Sequence, residues 1–560
     1  MDSSAPRSGC KTVDVLVIGA GFGGICAAKY LKDAGFSDLL IVDKNPELGG
    51  TWYENTYPGA ACDVTSVLYS FSFFTNFSWS SFFPPQKEIH TYQRETVDKF
   101  GLRPLLRLGH TVKEIEFNEE TAMWTARCEV ASAGKEEKET VTIKSRFVIS
   151  CVGQLNKPMT PQIEGQSKFA GPAFHTAQWD HSVSLAGKRV AVVGCAASAI
   201  QVIPTIQPIV GQLTVFQRTP SYIAPKPLEG TFSEFEKWLL SFSLVFWLLR
   251  MFIYLWHDMQ WFALSGVWGL KHLWMFVVAL NKSRGLQGAS PEKRAEIDKK
   301  VTPDYAFGCK RLLLSSNFYP AISQPNVSVV TDPIDRVQEG GIVAKNKETG
   351  ECTLYEADVI VYATGFQAQS FISPTEVKCR GKELGREWRE HDPRAYLGIL
   401  AAGFPNLFFV YGPNTNLGHS SIIFMLECQA AYIVKCLKEL RSRKARSVEV
   451  REEAADRFDT EVQSSLKKSV WSTGCASWYT SSKSGRVVNN WRGTTTGYWW
   501  LTRRLNLPDL VFSPRAPQSS LPLDRLREGK DEELHLSRQE TKDTVGVDGA
   551  GVSALEKSAA

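Results

Sequence analysis

Residues 13 to 43 read VDVLVIGAGFGGICAAKYLKDAGFSDLLIVD. The apolar run from Val13 to Ile18 predicts a buried strand, the glycine-rich GAGFGG a turn, ICAAKYLKDAGF a helix ending near Gly35, and DLLIV a second strand. Gly19, Gly21 and Gly24 fill the pattern G-x-G-x-x-G. The first permits the tight turn, the second lets backbone approach a pyrophosphate, and the third lets helix pack on strand. The helix N-terminus then faces the negative charge. Asp43 closes the second strand, where a carboxylate can accept ribose hydroxyls. The unit therefore reads as a dinucleotide-binding α/β module.

The same logic recurs at Lys188 to Pro204, KRVAVVGCAASAIQVIP. Its turn is Gly194, Cys195, Ala196, Ala197, Ser198 and Ala199, with alanine where the second glycine would stand, which limits how closely backbone meets phosphate. The next strand, LTVFQR, ends in Arg218 and Thr219 rather than an acid, which suits a 2′-phosphate and favours NADPH over NADH. Just before this second unit, Lys168 to Asp180 read KFAGPAFHTAQWD, the pattern F-x-G-x-x-x-H-x-x-x-W-D with His175 at its centre. A lone His among aromatics is as often a packed histidine as a catalyst.

The expected fold class is α/β, with two Rossmann-like dinucleotide-binding domains and a helical insertion. Residues 1–150 and 363–513 form the first domain, 151–225 and 301–362 the second, 226–300 the insertion, and 514–560 a disordered tail. GGTWYENTYPGAACD, Gly49 to Asp63, reads as a long loop of the functional kind. TVKEIEF, MWTARCEV, ETVTIKS and RFVISCVG read as strands, with a charged hairpin near Gly134 and Lys135. ADVIVYATGF and NLFFVYGPNTNLGHSS are strands with glycine turns, and IIFMLECQAAYIVKCLKELR is a helix. Residues 232 to 280 hold six of the sixteen tryptophans and are helical. Leu239 to Trp256 is close to the about 20 residues of a membrane span but is broken by Arg250. A lid over a substrate pocket and an in-plane membrane patch across 238–280 both fit that composition.

The composition, 43% apolar and 22% charged over 560 residues, is that of a core-forming globular chain. A net charge of +5 without long basic runs excludes a nucleic-acid footprint. Twelve scattered cysteines with no C-x-x-C and no metal-like spacing argue against a disulfide framework, a zinc site or a redox dithiol. Reduced cysteines and the lack of an apolar leader predict a cytoplasmic protein, with membrane association left open by the tryptophan-rich stretch.

The pattern from Phe169 to Asp180 resembles the fingerprint of the Baeyer-Villiger monooxygenases, and Gly50, Trp52, Tyr57, Pro58, Gly59 and Asp63 resemble a second signature of that family. The ATG turn at Ala363 to Gly365 resembles the crossing between its two nucleotide domains, and Lys310-Arg311 its Lys-Arg pair, expected between loop and helix. The resemblance implies FAD on the first turn, NADPH on the second, and insertion of one oxygen from dioxygen beside the carbonyl of a small apolar ketone. It implies Thr51, Trp52, Asp63 and Tyr69 at the flavin, Ala61, Cys62 and Asp63 at the nicotinamide cofactor, Tyr53 and Val112 among the cofactor-binding residues, and Lys310 with Arg218 at the 2′-phosphate. Arg311 would be the catalytic cation, oriented by Asp63. An N- or S-hydroxylating flavin monooxygenase and a catalytically silent, membrane-associated nucleotide binder are the competing readings. Neither the ketone nor the oligomeric state is legible.

Overall fold

A computed structural model describes residues 10–130, 139–264 and 270–514; the side chains of 263, 264 and 270 are not described. The charged hairpin, Trp268 and the expected tail lie outside the described residues. The chain opens with β1 (Lys11–Ile18), α1 (Phe22–Asp33) and β2 (Leu39–Val42), then α2 (Thr51–Glu54) and α3 (Gln86–Lys99). β3 (Leu106–Arg107), β4 (His110–Asn118), β5 (Met123–Val130) and β6 (Glu139–Ser150) complete the first pass. Along β2 all four side chains are buried, as a parallel strand covered on both faces requires.

Two expectations change here. ETVTIKS and RFVISCVG are one strand, β6, because Ser145 is buried and paired with Trp124 on β5, and neither it nor Arg146 can break a ladder as Gly or Pro would. The loop after Gly49 contains the one-turn helix α2, entered through Gly49 and Gly50 at φ +128° and +55° and held by Asn55 Nδ2 donating to the Thr51 carbonyl.

The second pass runs β7 (Ala173–His175), β8 (Arg189–Val193), α4 (Ala199–Ile206), β9 (Gln212–Phe216) and β10 (Ile223–Ala224). Four helices follow, α5 (Glu234–Leu240), α6 (Ser243–Leu264), α7 (Leu270–Gly285) and α8 (Pro291–Val301). The chain then returns through β11 (Leu313–Leu314), α9 (Phe318–Ile322), β12 (Val327–Val330), the antiparallel β13 (Ile334–Gln338), β14 (Gly341–Lys345) and β15 (Cys352–Glu356), and β16 (Val359–Tyr362). The last part is β17 (Glu376–Cys379), β18 (Lys382–Glu383), α10 (Leu384–His391), β19 (Leu407–Phe409), α11 (Ile422–Ser442), β20 (Ala445–Val450), α12 (Glu452–Leu466), α13 (Thr495–Thr502) and β21 (Leu510–Pro514).

Two parallel sheets organise all of this. In the first, β3, β2, β1, β6 and β19 lie side by side in parallel, and the far half of β6 continues into an antiparallel meander with β5 and β4. In the second the order is β12, β9, β8, β16, β7, again all parallel. Each sheet places the strand that leads into its glycine turn, β1 or β8, at the centre, so each turn opens at the carboxyl edge where the strand order reverses. Ligands bind in that crevice in open α/β sheets.

The cysteine expectation needs one correction. Ten cysteines are free, eight of them buried, but Cys309 and Cys475 form a disulfide, Cα atoms 6.4 Å apart across 166 residues. Their sequence spacing carries no sign of this, because only the tertiary fold brings the two loops together.

Candidate active site

Both turns open on one cavity of about 1360 Å3, lined by Gly19, Gly21 and Asp43 of the first unit and Gly194, Ala196 and Arg218 of the second. The glycines have distinct reasons to be there. Gly19 sits at φ +109°, and a Cβ on it would lie 2.5 Å from the Cys151 carbonyl oxygen. Gly194 repeats this at φ +120°, where a Cβ would collide with the Ala363 carbonyl. A Cβ on Gly24 would strike the Gly19 carbonyl, so that glycine packs helix on strand and stays off the cavity. At Gly21 a Cβ would meet no protein atom nearer than 3.6 Å, which leaves a cradle for something outside the protein. Ala196, the counterpart of Gly21, is exposed, and Ala197, Ser198 and Cys195 line the cavity with it, while Ala199 is buried in the core.

Asp43 lines the cavity, yet its carboxylate already has protein partners. Oδ2 accepts from the Ala20 amide at 2.6 Å and Oδ1 from the Asn45 amide at 2.9 Å, so Asp43 holds the glycine turn as well as offering its remaining lone pairs. Burial pushes its pKa up, and the two amide bonds work against that shift.

Along the loop from Gly49, Thr51, Trp52, Ala61, Cys62, Asp63 and Tyr69 all line the cavity, as does Val112 from β4. Trp52 Nε1 donates to the Tyr69 hydroxyl at 3.1 Å and the two rings meet edge to face. Tyr53 departs from expectation. Its ring turns to His90, 5.9 Å between centroids, off the cavity, because adjacent residues on a one-turn helix point in different directions.

The loop is tied to the second unit by Gln201 on α4, a residue absent from the sequence reading. Its Oε1 accepts from the Tyr57 hydroxyl at 2.9 Å, and its Nε2 donates to the Ala61 carbonyl at 3.0 Å. Gly59, at φ +81°, lies so close to α4 that a Cβ would meet the Gln201 carbonyl at 2.7 Å. One helix thus carries the second turn at its start and the anchor of the first domain's loop one turn on.

Arg311 and Asp63 meet inside the cavity. Nε and Nη2 of the arginine both reach Asp63 Oδ2 at 2.8 Å. Side chains 248 residues apart are thereby joined, with 27% and 28% of their surfaces open. Asp63 is the main reason that the guanidinium pKa is held above its ordinary value, so Arg311 stays charged at any working pH. Tyr411 and Tyr479 flank it electrostatically. Burial pushes the Tyr479 phenol up to about 12 and the Tyr411 phenol higher, so both remain neutral beside the cation. Tyr411 adopts φ +69°, a strained conformation for an aromatic residue, and its hydroxyl donates to Asn416 at 2.7 Å. Tyr411 lies in the NLFFVYGPNTNLGHSS stretch read above only as strand and turn, and Tyr479 carries no local signal of a site role.

Lys310 and Arg311 lie in a loop before β11 rather than at a helix start; α9 begins only at Phe318. Lys310 stands 4.8 Å from the Tyr305 ring, and both it and exposed Arg218 line the cavity, Thr219 beside them. Burial lowers the Lys310 pKa, and Arg218 lowers it further. Two mutually repelling cations at a cavity wall are relieved by a shared anion.

His175 takes no place in the cavity. It is buried, accepts from the Ala177 amide through Nδ1 at 3.0 Å, and meets Phe366 edge to face. Trp179 packs on Phe174, and Asp180 accepts from Ser182. A Cβ on Gly171 would collide with the Asp358 carbonyl beside β16. The whole motif therefore buttresses the crossing between the sheets. The lid expectation for 226–300 also changes: among the described residues none in that range lines the cavity. No single helix in the described residues is long and apolar enough to cross a membrane, and α5 and α6 meet at a bend of 92°.

Two glycine turns facing one cavity, a paired, partly buried cation inside it and two further cations on its wall are the arrangement of a two-nucleotide flavoprotein. Residues 17–83 match the NAD(P)-binding Rossmann-like domain, and residues 64–223 match the L-lysine 6-monooxygenase/L-ornithine 5-monooxygenase family. Along most of its length the chain is 38% identical to a Baeyer-Villiger monooxygenase of Streptomyces coelicolor, over 90% of this chain and 93% of the relative. It is 37% identical to another from Pseudomonas aeruginosa, over 90% and 92%. It is similar in structure to cyclohexanone monooxygenase from a Rhodococcus species bound to NADP+, with a TM-score of 0.78 at 26% identity over 90% of this chain and all of that one. The chain belongs to the Baeyer-Villiger monooxygenases, FAD- and NADPH-dependent enzymes that insert one atom of dioxygen beside a ketone carbonyl.

Proposed function

We propose that this enzyme converts an apolar ketone to its ester or lactone, with Arg311 as the catalytic cation and Asp63 as its positioning partner. The observation that carries this is the Arg311–Asp63 pair standing in the single cavity that both cradles line. The balance is ketone, NADPH, a proton and dioxygen going to ester, NADP+ and water. Bound FAD and NADPH supply the electrons that activate dioxygen. Residues 1–150 and 363–513 hold FAD through the Gly19 turn, Asp43, Thr51, Trp52 and Tyr69. Residues 151–225 and 301–362 hold NADPH through the Gly194 turn, with Arg218 and Lys310 on the 2′-phosphate.

The chain's own contribution is electrostatic and steric. Arg311, held by Asp63 and flanked by two neutral phenols, presents a fixed positive charge where negative charge develops on oxygen, the kind of preorganised stabilisation that contributes several kcal/mol. Its two N–H bonds to Asp63 set its direction, so little reorganisation is needed during the reaction. Val64, Leu417, Ile422, Leu426 and Trp478 form apolar walls that suit a hydrocarbon substrate and keep water from the reacting centre. We place the enzyme in the cytoplasm, in keeping with ten free cysteines.

The lysine/ornithine family match over 64–223 favours nitrogen hydroxylation as the second reading. Incubating the flavin-loaded enzyme with NADPH, oxygen and a panel of cyclic and linear ketones, amines and sulfides separates the two. Esters or lactones from ketones support the proposal. Hydroxylamines or sulfoxides with no ester from any ketone refute it.

A further inference from the structure

Helix α6 is built inside out. Its polar side chains face the protein: Arg250 donates to the Val67 carbonyl and to Ser70 at 2.8–3.0 Å, His257 bonds the His419 carbonyl at 2.7 Å, and Asp258 accepts from the Thr495 amide at 2.6 Å. Its outward stripe is apolar. Trp247, Met251, Phe252, Leu255, Trp256 and Met259 recur every three to four residues and are all exposed. A surface helix in water shows the opposite arrangement.

The neighbours extend the face. α5 exposes Phe235 and Trp238, α7 exposes Leu273 and Phe276, and α13, whose first turn Asp258 holds, exposes Trp499 and Trp500. Phe235, Trp238, Trp247, Phe252, Trp256 and Phe276 are each about half exposed or more; at roughly 150–250 Å2 per aromatic side chain they present on the order of 600 Å2 or more by themselves. That matches or exceeds the largest apolar patch of an ordinary monomer before the aliphatic residues are added.

Charge identifies the occupant. α5 begins with two exposed acids, Glu234 and Glu236, the first paired with Lys237 at 2.7 Å; from there to Arg284 the only acid is Asp258, which is buried, whereas Lys271, Arg284 and Lys282, the last paired with Asp298 of α8, supply positive charge. Arg503 stacks on Trp500 at 3.6 Å, with Arg504 beside it. Exposed tryptophans with cations beside them, and no exposed acid on α6 or α7, complement an anionic phospholipid surface, and the bend between α5 and α6 suits a helix lying in the plane of the interface. We propose that α5, α6 and α7 form a monotopic docking face that seats this enzyme in the headgroup region of an anionic phospholipid bilayer. The face is independent of the oxygenation site, because none of its described residues lines the cavity.

The test is flotation of the full-length, flavin-loaded enzyme with vesicles of phosphatidylcholine alone and of phosphatidylcholine with phosphatidylglycerol in equal amounts. The parent floats with the anionic vesicles, less so at high salt. The variant Trp247→Glu/Phe252→Glu/Trp256→Glu partitions on the order of a hundredfold more weakly while keeping its flavin absorbance and NADPH oxidation rate. If that variant loses its flavin, Trp247→Ser/Phe252→Ser/Trp256→Ser shows the same weakened flotation with the flavin retained. A parent that stays behind with both vesicles, or a folded variant that floats as well as the parent, overturns the proposal. So does a lipid-indifferent dimer, seen by sedimentation velocity, that these substitutions turn into monomer, which would make the face an interface between copies of this chain.

Discussion

Replacing Asp63 by asparagine keeps its size and removes its charge. In the parent, Nε and Nη2 of Arg311 both end on Asp63 Oδ2 at 2.8 Å. A hydrogen bond to a charged group contributes about 1.5–3 kcal/mol, and breaking a buried pair by removing one partner costs about 3–5 kcal/mol. The amide keeps one acceptor oxygen and about a quarter of each side chain is open to the cavity, so the loss falls at the lower end, about 2–3 kcal/mol. If that energy is the positioning of the guanidinium, kcat for ester formation falls by roughly 30- to 150-fold. The protonation state does not change, since Arg311 remains a cation without Asp63; the pH profile between neutrality and mild alkali therefore keeps its shape. Anaerobic bleaching of the flavin by NADPH, which does not depend on the pair, stays within a few-fold, and the electrons that no longer reach ketone appear as hydrogen peroxide. Arg311→Ala removes the charge itself and abolishes ester formation while flavin binding persists. Rapid-mixing absorbance, peroxide assay and chromatography of products measure all four quantities. An Asp63→Asn enzyme that forms ester at the parent rate with no rise in peroxide refutes the positioning role; one whose flavin reduction collapses in parallel shows that the pair serves cofactor binding instead.

Three further outcomes are expected. Arg218→Ala raises the KM for NADPH by about 10- to 100-fold and leaves that for NADH unchanged; equal effects on both remove the 2′-phosphate role. Gln201→Leu severs the bonds to Tyr57 and Ala61 and costs roughly 1–3 kcal/mol, seen as weaker NADPH-driven flavin reduction at unchanged FAD content; a uniform loss of flavin would show that the coupling is structural only. His419 is buried with Asp258 Oδ1 at 4.0 Å and His257 nearby, and burial lowers its pKa to about 4. The unfolded chain binds its proton near pH 6.5 and the folded one only near 4, so this group's effect on stability is absent above about pH 6.5 and grows to a loss of about 3 kcal/mol as pH falls to 4. His419→Asn flattens that part of the denaturation profile, and a parent-like acid limb would refute the assignment.

Much of the site was legible because its residues carry local signals. Glycine turns follow from the strand, turn and helix around them, since backbone conformation is a short-range property. Arg218 is placed by its position at a strand end. The motif from Phe169 to Asp180 was visible too, but its role was not: His175 and Trp179 find their partners in Phe366 and Phe174, and a pattern does not say whether a conspicuous side chain faces a cavity or a crossing strand. Tyr53 shows the limit at single-residue scale, since its neighbours on α2 reach the cavity and it does not.

By itself the sequence determined two parallel α/β units, the order of their turns and the chemistry of the cations, because strand runs, helix periods and residue types are written within a few tens of residues. Only the tertiary structure decided which distant groups meet. Arg311 reaches Asp63 across 248 residues, Gln201 reaches Tyr57 across 144, and Cys309 pairs with Cys475 across 166. It also decided that the tryptophan-rich helices turn their polar side chains inward and leave the cavity alone. Sheet packing places the two units, and side-chain direction on a helix depends on what it packs against, so neither is encoded in any one stretch of the chain.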